Sequence, residues 1–248
     1  MSYNPFTLKG KTILITGASS GIGRATAIEC SKLGATCIIT ARNEKRLNET
    51  LSQLEGEGHK VIIADIAVQD GIDILVEQIP NIDGLVNNAG IGLTKPIAFC
   101  KQKDLENIFQ VNTFSPLLIV KSIFRKNKFN SFASIVFVAS AGTYTVSYGN
   151  GIYSASKASL TTFMHHCAKE FSKNHIRANA VQPGMIDTPL IHDGSISEED
   201  LKNDMQKYPM GRYGKPEEIA HAIIYLLSDA AVWTTGASIN VDGGLALV

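Results

Sequence analysis

Short runs of β-branched and apolar residues alternate with amphipathic segments along nearly the whole chain. The apolar runs predict strands at 12–16, 36–40, 61–65, 83–87, 134–139, 176–181 and about 237–241. The segments between them have helical periodicity and predict helices at 21–33, 44–54, about 68–79, 103–127, 152–174 and about 216–228. Glycines at positions 34, 56 and 58 are typical helix stops and support the ends of the first two helices.

This alternation also predicts the fold class. Near-continuous apolar strands joined by helices indicate parallel strands that are covered on both faces, and right-handed crossovers then produce an open sheet. No internal repeat, low-complexity tract or linker interrupts the pattern. The sequence therefore predicts an α/β fold with three layers and a doubly wound parallel sheet, in a single domain over residues 1–248. The long irregular stretch at about 183–213, with room for a helix at about 197–207, is expected to be a substrate loop or lid.

Composition and charge exclude several classes of function. Basic and acidic residues number 23 each, so the chain lacks the basic surface expected of a nucleic-acid-binding protein. The four cysteines are scattered without a C-x-x-C pair, which favours reduced thiols over a disulfide or zinc framework. The first residues lack a signal pattern, and no apolar run reaches membrane-spanning length. We therefore expect a cytoplasmic protein that has neither a nucleic acid nor a membrane as its partner.

A glycine-rich turn, Thr16-Gly-Ala-Ser-Ser-Gly-Ile-Gly23, lies between the first predicted strand and the first predicted helix. Glycine allows a sharp turn and a close approach of the backbone to a pyrophosphate, and the helix N-terminus supplies free N–H groups and partial positive charge. A plain Gly/Ser connection is the alternative, but this position in a βαβ unit favours a dinucleotide site. The predicted site residues here are Gly17, Ser19, Ser20, Gly21, Ile22 and Gly23.

The end of the second strand, Thr40-Ala41-Arg42, indicates which nicotinamide cofactor would fit. An acidic residue there binds the ribose 2′-hydroxyl of NAD, whereas a nearby arginine accommodates the 2′-phosphate of NADP. Position 41 is not acidic, and the Arg42 guanidinium can hold a phosphate with two hydrogen bonds. The alternative is that Arg42 is an ordinary solvated charge at the start of a helix. The sequence predicts NADP(H) as the cofactor, with NAD(H) less favoured.

Three polar residues near the end of the fifth strand suggest a catalytic group. Tyr153 and Lys157 are four positions apart at the start of a predicted helix, so they share one face of it. A Y-x-x-x-K pair arises by chance roughly half the time in such a chain, and alone it says little. Ser140, however, follows the fifth strand at the edge where doubly wound sheets bind ligands, and Tyr153 lies thirteen residues later. Surface polarity is the alternative for each residue taken singly.

These motifs occur together in one known family. The glycine turn has the spacing G-x-x-x-G-x-G, Asn87-Asn88-Ala89-Gly90 ends the fourth strand, and further matches extend to Gly244. In these features nearly the whole chain resembles the short form of the short-chain dehydrogenase/reductase family, and in particular its 3-oxoacyl-[acyl-carrier-protein] reductases. The resemblance implies a Rossmann-type sheet and an NAD(P)-dependent oxidoreductase. One basic marker of the family, just before the second motif glycine, is missing because that position is Ser20.

The resemblance also implies contacts to the cofactor. Asp65 and Ile66, at the end of the third strand, would contact the adenine. The segment Asn88, Ala89 and Gly90 would border the adenosine side. The turn at Pro183 and Gly184 would cover the nicotinamide, with Ile186 and Thr188 near its carboxamide.

The catalytic roles follow from the chemistry of carbonyl reduction. Negative charge develops on the carbonyl oxygen as hydride reaches the carbon, so the site needs a proton donor and a preorganised hydrogen bond. The ordinary pKa of tyrosine, about 10, is too high for this task, and the ammonium of Lys157 would favour the phenolate. The resemblance implies that Tyr153 is the acid/base, that Lys157 also bonds the nicotinamide ribose and that Asn112 supports a water relay. Ser140 would hold the substrate oxygen. We therefore predict an oxidoreductase that interconverts a carbonyl and a secondary alcohol.

The substrate stays open at this point. A 3-oxoacyl thioester is favoured, and a sugar, polyol, steroid or other secondary alcohol is the alternative, because the motifs are shared and substrate choice depends on the loops at 144–150 and 185–210. A non-catalytic NADP(H) sensor is an alternative of another class, but such a protein would be expected to lose part of the catalytic set. Relatives of this length commonly form tetramers through the helices at about 103–127 and 152–174 and the C-terminal segment, so we expect a homo-oligomer.

Other polar residues do not predict a metal site. His165 and His166 are adjacent, so they point in different directions and cannot form an i, i+4 pair. His192 lies in the expected lid and could touch substrate or simply be solvated. The basic run at 125–128 is typical of a helix C-terminus, and contact with an acidic acyl carrier is the alternative.

Overall fold

Seven parallel strands form one sheet in a computed structural model that describes residues 3–189, 191 and 197–247. The strands are β1 (Thr12–Thr16), β2 (Thr36–Ala41), β3 (Lys60–Ile63), β4 (Ile82–Asn87), β5 (Phe129–Val138), β6 (Arg177–Pro183) and β7 (Ser238–Val241). Their order in the sheet is β3-β2-β1-β4-β5-β6-β7. The direction of winding reverses between β1 and β4, and doubly wound sheets bind ligands at such a point, beyond the carboxyl ends of the strands.

Helices cover both faces of this sheet. Those of the described residues are α1 (Gly21–Lys32), α2 (Glu44–Leu51), α3 (Gln69–Gln78), α4 (Gln102–Phe109), α5 (Ser115–Arg125), α6 (Gly151–Glu170), α7 (Glu198–Met205) and α8 (Pro216–Leu227). None of these helices has the length and apolar character needed to cross a membrane.

Two apolar clusters, one on each face of the sheet, form the core. Ile13 and Ile15 of β1 pack with residues of α1 and α8, whereas Leu14 packs with residues of α3, α5 and α6. This alternation follows from the strand backbone, which points successive side chains to opposite faces. The predicted three-layer, doubly wound α/β fold is confirmed. All four cysteines are free, and Cys30, Cys37 and Cys167 are buried in the core.

Two elements differ most from the sequence prediction, whereas the bounds of others, such as α2 and α6, differ by a few residues at their ends. Strand β5 begins at Phe129, five residues before the predicted start at 134, because its first half is partly exposed and forms no apolar run. The single helix predicted at 103–127 is two helices, α4 and α5, joined by a π-helical segment at Gln110–Phe114. Both differences lie where backbone geometry depends on neighbouring elements rather than on local periodicity.

The stretch after β6 contains the helix that the sequence anticipated. Ser197 caps α7 by accepting a hydrogen bond from Asp200 N at 3.1 Å. Tyr213 donates a hydrogen bond to Leu201 O at 2.8 Å and packs with Tyr208 in a third, smaller apolar cluster. Through Tyr213, the segment that precedes α8 therefore contacts α7. His192 lies outside the described residues.

Candidate active site

Helix α6 carries Tyr153 and Lys157 at the carboxyl edge of the sheet. Lys157 is only 4% exposed, and its Nζ donates a hydrogen bond of 2.9 Å to the carbonyl oxygen of Val138, the last residue of β5. Burial lowers the pKa of Lys157 to about 8, because desolvation disfavours the ammonium form. The amine is therefore both an anchor of α6 and a cation that loses its proton easily.

Ser140 lies two residues beyond β5 and contacts Tyr153. Its Oγ accepts a hydrogen bond of 3.1 Å from Gly142 N, and its side chain is hydrogen-bonded to that of Tyr153. Burial raises the pKa of Tyr153, and the hydrogen bond with Ser140 acts in the opposite direction. These two causes account for the direction of the shift in this structure, and the lowering by Lys157 expected from the sequence stays a prediction.

Asn112 lies in the π-helical segment between α4 and α5 and is fully buried. Its Oδ1 accepts a 2.8 Å hydrogen bond from Ile91 N, and its Nδ2 donates to Ile91 O at 3.0 Å and to Ser156 Oγ at 3.1 Å. Both donors of the amide are used, so the side chain connects the segment after β4 with α6. Isolated π-helical turns are frequent at functional sites.

The glycine-rich turn and the segment after β4 pack against each other. Gly17 and Gly21 have φ angles of 69° and 54°, which favour glycine. Asn88 Nδ2 donates a 2.9 Å hydrogen bond to Thr16 O, and a Cβ atom at Gly23 would overlap this amide. The two motifs therefore form one compact unit, and its glycines cannot be replaced without moving backbone or Asn88.

Thr16 and Arg24 hold this unit in place, and sequence reasoning assigned a role to neither. Thr16 Oγ1 accepts hydrogen bonds of 3.1 Å from the backbone N–H groups of Asn88 and Ala89. Arg24 donates to Ser19 O at 2.6 Å. The signal for Arg24 was its position immediately after the last glycine of the motif, where an arginine on α1 can reach back over the turn.

Gly90 belongs to the segment that packs against the glycine-rich turn, and it lies beside Lys157 and Asn112. A Cβ atom at this position would lie 3.0 Å from Lys157 Nζ and 3.2 Å from Asn112 Oδ1. The residue is itself exposed, so its bare backbone faces solvent next to both side chains.

Several polar groups around the glycine-rich turn suit a dinucleotide. The N-cap of α1, Ser20, makes no side-chain hydrogen bond to the helix, so its side chain leaves the first N–H groups of α1 to other acceptors. Thr40 Oγ1 and both polar side-chain atoms of Asn87 are buried without a hydrogen-bond partner among the described residues. Thr40 is the penultimate residue of β2 and Asn87 the last residue of β4, and these strands lie on either side of β1. The residues present therefore fit a polar ligand that lies across this edge.

Arg42 is exposed after β2 and has no ion-pair or hydrogen-bond partner in the described part of the chain. Asp65 follows β3, where its Oδ1 accepts a 3.0 Å hydrogen bond from Ala67 N, and Ile66 is buried beside it. The structure thus brings Arg42, Asp65 and Ile66 to the ends of two neighbouring strands, β2 and β3.

The segment after β6 folds back over the start of α1. Gly184 N donates to Val241 O at 3.1 Å, and Ile186 forms an isolated β-bridge with Gly214. A Cβ atom at Gly21 would lie 3.2 Å from Thr188 Cγ2, so Thr188 lies directly over the glycine-rich turn. This segment therefore packs against the glycine-rich turn.

No group of three or more His, Cys, Asp or Glu side chains within residues 3–189, 191 and 197–247 could hold a metal ion.

Comparison with known proteins agrees with this geometry. A family model described as enoyl-(acyl carrier protein) reductase matches residues 17–246. A 3-oxoacyl-[acyl-carrier-protein] reductase of Thermotoga maritima is 35% identical, over 97% of this chain and 99% of its own. A solved short-chain dehydrogenase/reductase family protein has a TM-score of 0.87 at 31% identity, covering 97% of this chain and 99% of that one.

A second solved structure contains a nucleotide. This Beutenbergia cavernae protein, assigned as an NAD(P)-dependent gluconate 5-dehydrogenase, has NADP bound at low occupancy. It has a TM-score of 0.89 at 26% identity and covers 99% of this chain and 100% of its own. The fold, the glycine-rich turn and the near-complete coverage by these relatives imply an oxidoreductase with a nicotinamide cofactor. The chain belongs to the short-chain dehydrogenase/reductase family.

Proposed function

We propose that the protein is an NADPH-dependent reductase of 3-oxoacyl thioesters that uses Tyr153 as its acid/base. The observation that carries this proposal is the partly buried Tyr153, which is hydrogen-bonded to Ser140 and lies one helical turn from the buried Lys157. These three residues lie at the carboxyl edge of the sheet. Gly90, in the segment that packs against the glycine-rich turn, lies beside Lys157. A proton donor and a hydrogen-bond donor side by side are what developing charge on a carbonyl oxygen requires.

The side chains divide the chemistry between them. When bound, the nicotinamide cofactor supplies a hydride to the carbonyl carbon. Ser140 holds the carbonyl oxygen, and Tyr153 gives that oxygen its proton, so that the product is a secondary alcohol and the tyrosine becomes a phenolate. The Ser140 hydroxyl and the Lys157 ammonium stabilise this phenolate until a proton returns. Asn112 keeps the segment after β4 and α6 at a constant distance and supports the water relay by which the proton is replaced.

The choice of NADPH depends on Arg42. Its guanidinium is exposed and has no partner among the described residues, and the preceding residue is Ala41 rather than an acid that would repel a phosphate. The bound NADP of the Beutenbergia cavernae structure supports the same cofactor. In this proposal Asp65 and Ile66 contact the adenine, whereas Pro183 to Thr188 cover the nicotinamide.

Two alternatives remain for the activity. A dehydrogenase of a sugar, polyol, steroid or other secondary alcohol would use the same catalytic group, and the gluconate 5-dehydrogenase assignment of a structural relative favours this alternative specifically. A non-catalytic NADP(H) sensor is disfavoured, because the chain keeps Asn112, Ser140, Tyr153 and Lys157 together.

We also propose that the protein works in the cytoplasm as a homotetramer. Trp233 is 98% exposed, Val232 is 66% exposed, and Phe114, at the junction of α4 and α5, is half exposed. Large apolar side chains exposed in this way are candidates for an interaction surface. Four free cysteines fit a reducing compartment.

The acid/base role is tested by Tyr153→Phe. With acetoacetyl-CoA as substrate and NADPH absorbance as the signal, we expect kcat to fall by about 10²–10⁴-fold, because general acid catalysis is lost. NADPH binding should persist, and Tyr225→Phe, which removes a hydroxyl hydrogen-bonded to Thr234, is the control with unchanged turnover. Near-normal turnover by Tyr153→Phe would contradict the mechanism.

A wild type that binds NADPH but reduces only sugars, polyols or cyclic ketones would favour the alternative dehydrogenase, and no turnover on a broad carbonyl panel would favour the sensor.

The cofactor assignment is tested by Arg42→Ala. The loss of a charge-assisted hydrogen bond of about 1.5–3 kcal/mol should raise the Kd for NADPH roughly 10- to 100-fold, with little effect on NADH. Fluorescence titration measures both constants, and Arg125→Ala on α5 is the control variant. An equal rise in the Kd values for NADPH and NADH, or tighter binding of NADH by the wild type, would show that Arg42 does not bind the 2′-phosphate.

The lowered pKa of Lys157 predicts a pH-dependent stability. The unfolded chain holds the lysine proton more tightly, so burial of the ammonium costs stability below about pH 8, and this cost fades as the pH rises towards 10.5. Lys157→Met removes the cost, so the stability of the variant relative to wild type should decline by up to about 3 kcal/mol between pH 7 and 10.5. Urea unfolding of the cofactor-free proteins measures this difference, and a constant difference across that range would refute the prediction.

The oligomeric state is measured by light scattering at micromolar concentration. We expect a mass equal to four chains of 26.7 kDa. Trp233→Ser should lower that mass, because the exposed indole lies in the proposed contact, whereas Tyr3→Ser, equally exposed near the N-terminus, should not. A single-chain mass for the wild type would overturn the proposal.

A further inference from the structure

Gln182 is a buried polar residue at the site that the mechanism above does not use. It is the penultimate residue of β6, directly before Pro183, and is only 6% exposed. Its Nε2 donates a hydrogen bond of 2.6 Å to Thr143 Oγ1. Thr143 ends the short 3₁₀ turn, Ala141–Thr143, that directly follows Ser140.

The direction of the Gln182 side chain follows from its strand. Ala178 and Ala180 of β6 pack in the apolar cluster that includes α6, whereas Val181 packs in the cluster on the other face. Because side chains alternate along a strand, Gln182 shares the face of Ala178 and Ala180. Its amide therefore lies on the side of the sheet that carries Tyr153 and Lys157.

The turn that receives this hydrogen bond is short and closely connected to Ser140. Thr143 N donates to Ser140 O at 3.1 Å, and Gly142 N donates to Ser140 Oγ at the same distance. A shift of Thr143 would therefore move both the backbone and the hydroxyl of Ser140. Tyr144, the next residue, donates to Asp242 Oδ2 at 3.0 Å, so the outer end of the turn has an anchor of its own.

The chemistry of position 182 also argues against a role in packing alone. The two residues before it on the same face are alanines, and a buried amide must lose its hydration and its rotamer freedom. A small apolar side chain would avoid both costs. Gln182 instead directs its amide to one hydroxyl next to the catalytic turn.

We propose that Gln182 is a positioning residue: through Thr143 it holds the turn that carries Ser140, so that the Ser140 hydroxyl meets Tyr153 and the substrate oxygen. The inference rests on the proposed function of Ser140 and Tyr153. Because Gln182 directly precedes Pro183, the same hydrogen bond connects the turn that holds the substrate oxygen with the turn that covers the cofactor cleft.

The test uses variants of similar volume that cannot hydrogen-bond. Gln182→Leu and Thr143→Val are each expected to lower kcat about 10- to 100-fold, because a misplaced catalytic group costs rate, while the Kd for NADPH changes less than about twofold. The double variant should be no slower than the slower single variant, since both substitutions remove the same interaction. Thr143→Ser, which keeps the hydroxyl, should retain most of the activity. Gln102→Leu is the matched control, since Gln102 Nε2 also donates one hydrogen bond, to Glu106 on exposed α4.

A pH profile separates positioning from packing. The hydrogen bond with Ser140 lowers the pKa of Tyr153. A variant in which Ser140 is displaced and this hydrogen bond is lost should therefore have a higher Tyr153 pKa. In the direction of alcohol oxidation, where the phenolate is the base, the rise of kcat/KM with pH should therefore move to higher pH in Gln182→Leu and Thr143→Val. Thr143→Ser should restore the wild-type profile.

The outcomes are distinguishable. Wild-type kcat and an unshifted profile in Gln182→Leu would overturn the inference, as would additive losses in the double variant or an equal loss of NADPH affinity. Should Gln182→Leu fail to fold, as judged by circular dichroism, the comparison of Thr143→Val with Thr143→Ser decides alone. Equal turnover by wild type and Tyr153→Phe would instead overturn the proposed function on which the inference rests.

Discussion

The parallel pairing of β1 with both β2 and β4 brings the carboxyl ends of the strands to one edge of the sheet. Every candidate group described above depends on that geometry. The glycine-rich turn leaves β1 at this edge, the Asn88 segment leaves β4, and Ser140 follows β5. The space between these turns is so small that the Asn88 amide and the Gly17 carbonyl already fill the position of a Cβ atom at Gly23. Glycine at this point is therefore a requirement of packing before it is a requirement of any ligand.

Burial acts on both ionisable groups of the catalytic helix in the same sense. It raises the pKa of Tyr153 and lowers that of Lys157, so in the free protein both side chains are biased towards their neutral forms. With a pKa of about 8, Lys157 still carries its proton at neutral pH, whereas Tyr153 is a neutral phenol. In the proposed reaction, the charge that develops on a carbonyl oxygen would meet donors that are already in place, so little reorganisation would be needed.

Much of this arrangement could be predicted from the sequence. Strands β1, β2 and β4 agree with prediction to within one residue, because their apolar runs are continuous and each is followed by a turn with glycine or asparagine. The sequence also placed the candidate catalytic residues near one another, because Tyr153 and Lys157 belong to one helix and Ser140 follows the end of one strand. The roles of Thr16, Arg24 and Gln182 could not, since each depends on a hydrogen bond to a residue on another element or turn. The early start of β5 could not be predicted either, because Phe129 pairs with Ile82 ahead of a register shift, and the polar Asn130 and Ser131 leave no apolar pattern.

The π-helical segment around Asn112 has a consequence for how this region can change. Each residue of an α-helix advances the chain by about 100° around the axis. The wider turn at Gln110–Phe114 therefore rotates the side chains of α4 around the helix axis relative to those of α5. The two helices follow each other along the chain, but their apolar faces point in different directions. The apolar side chains of α5 can stay in register with the core while the surface of α4 varies. Deleting one residue from the segment would rotate α4 against α6 and separate Asn112 from Ser156, so insertions and deletions here should act as changes of angle rather than of length.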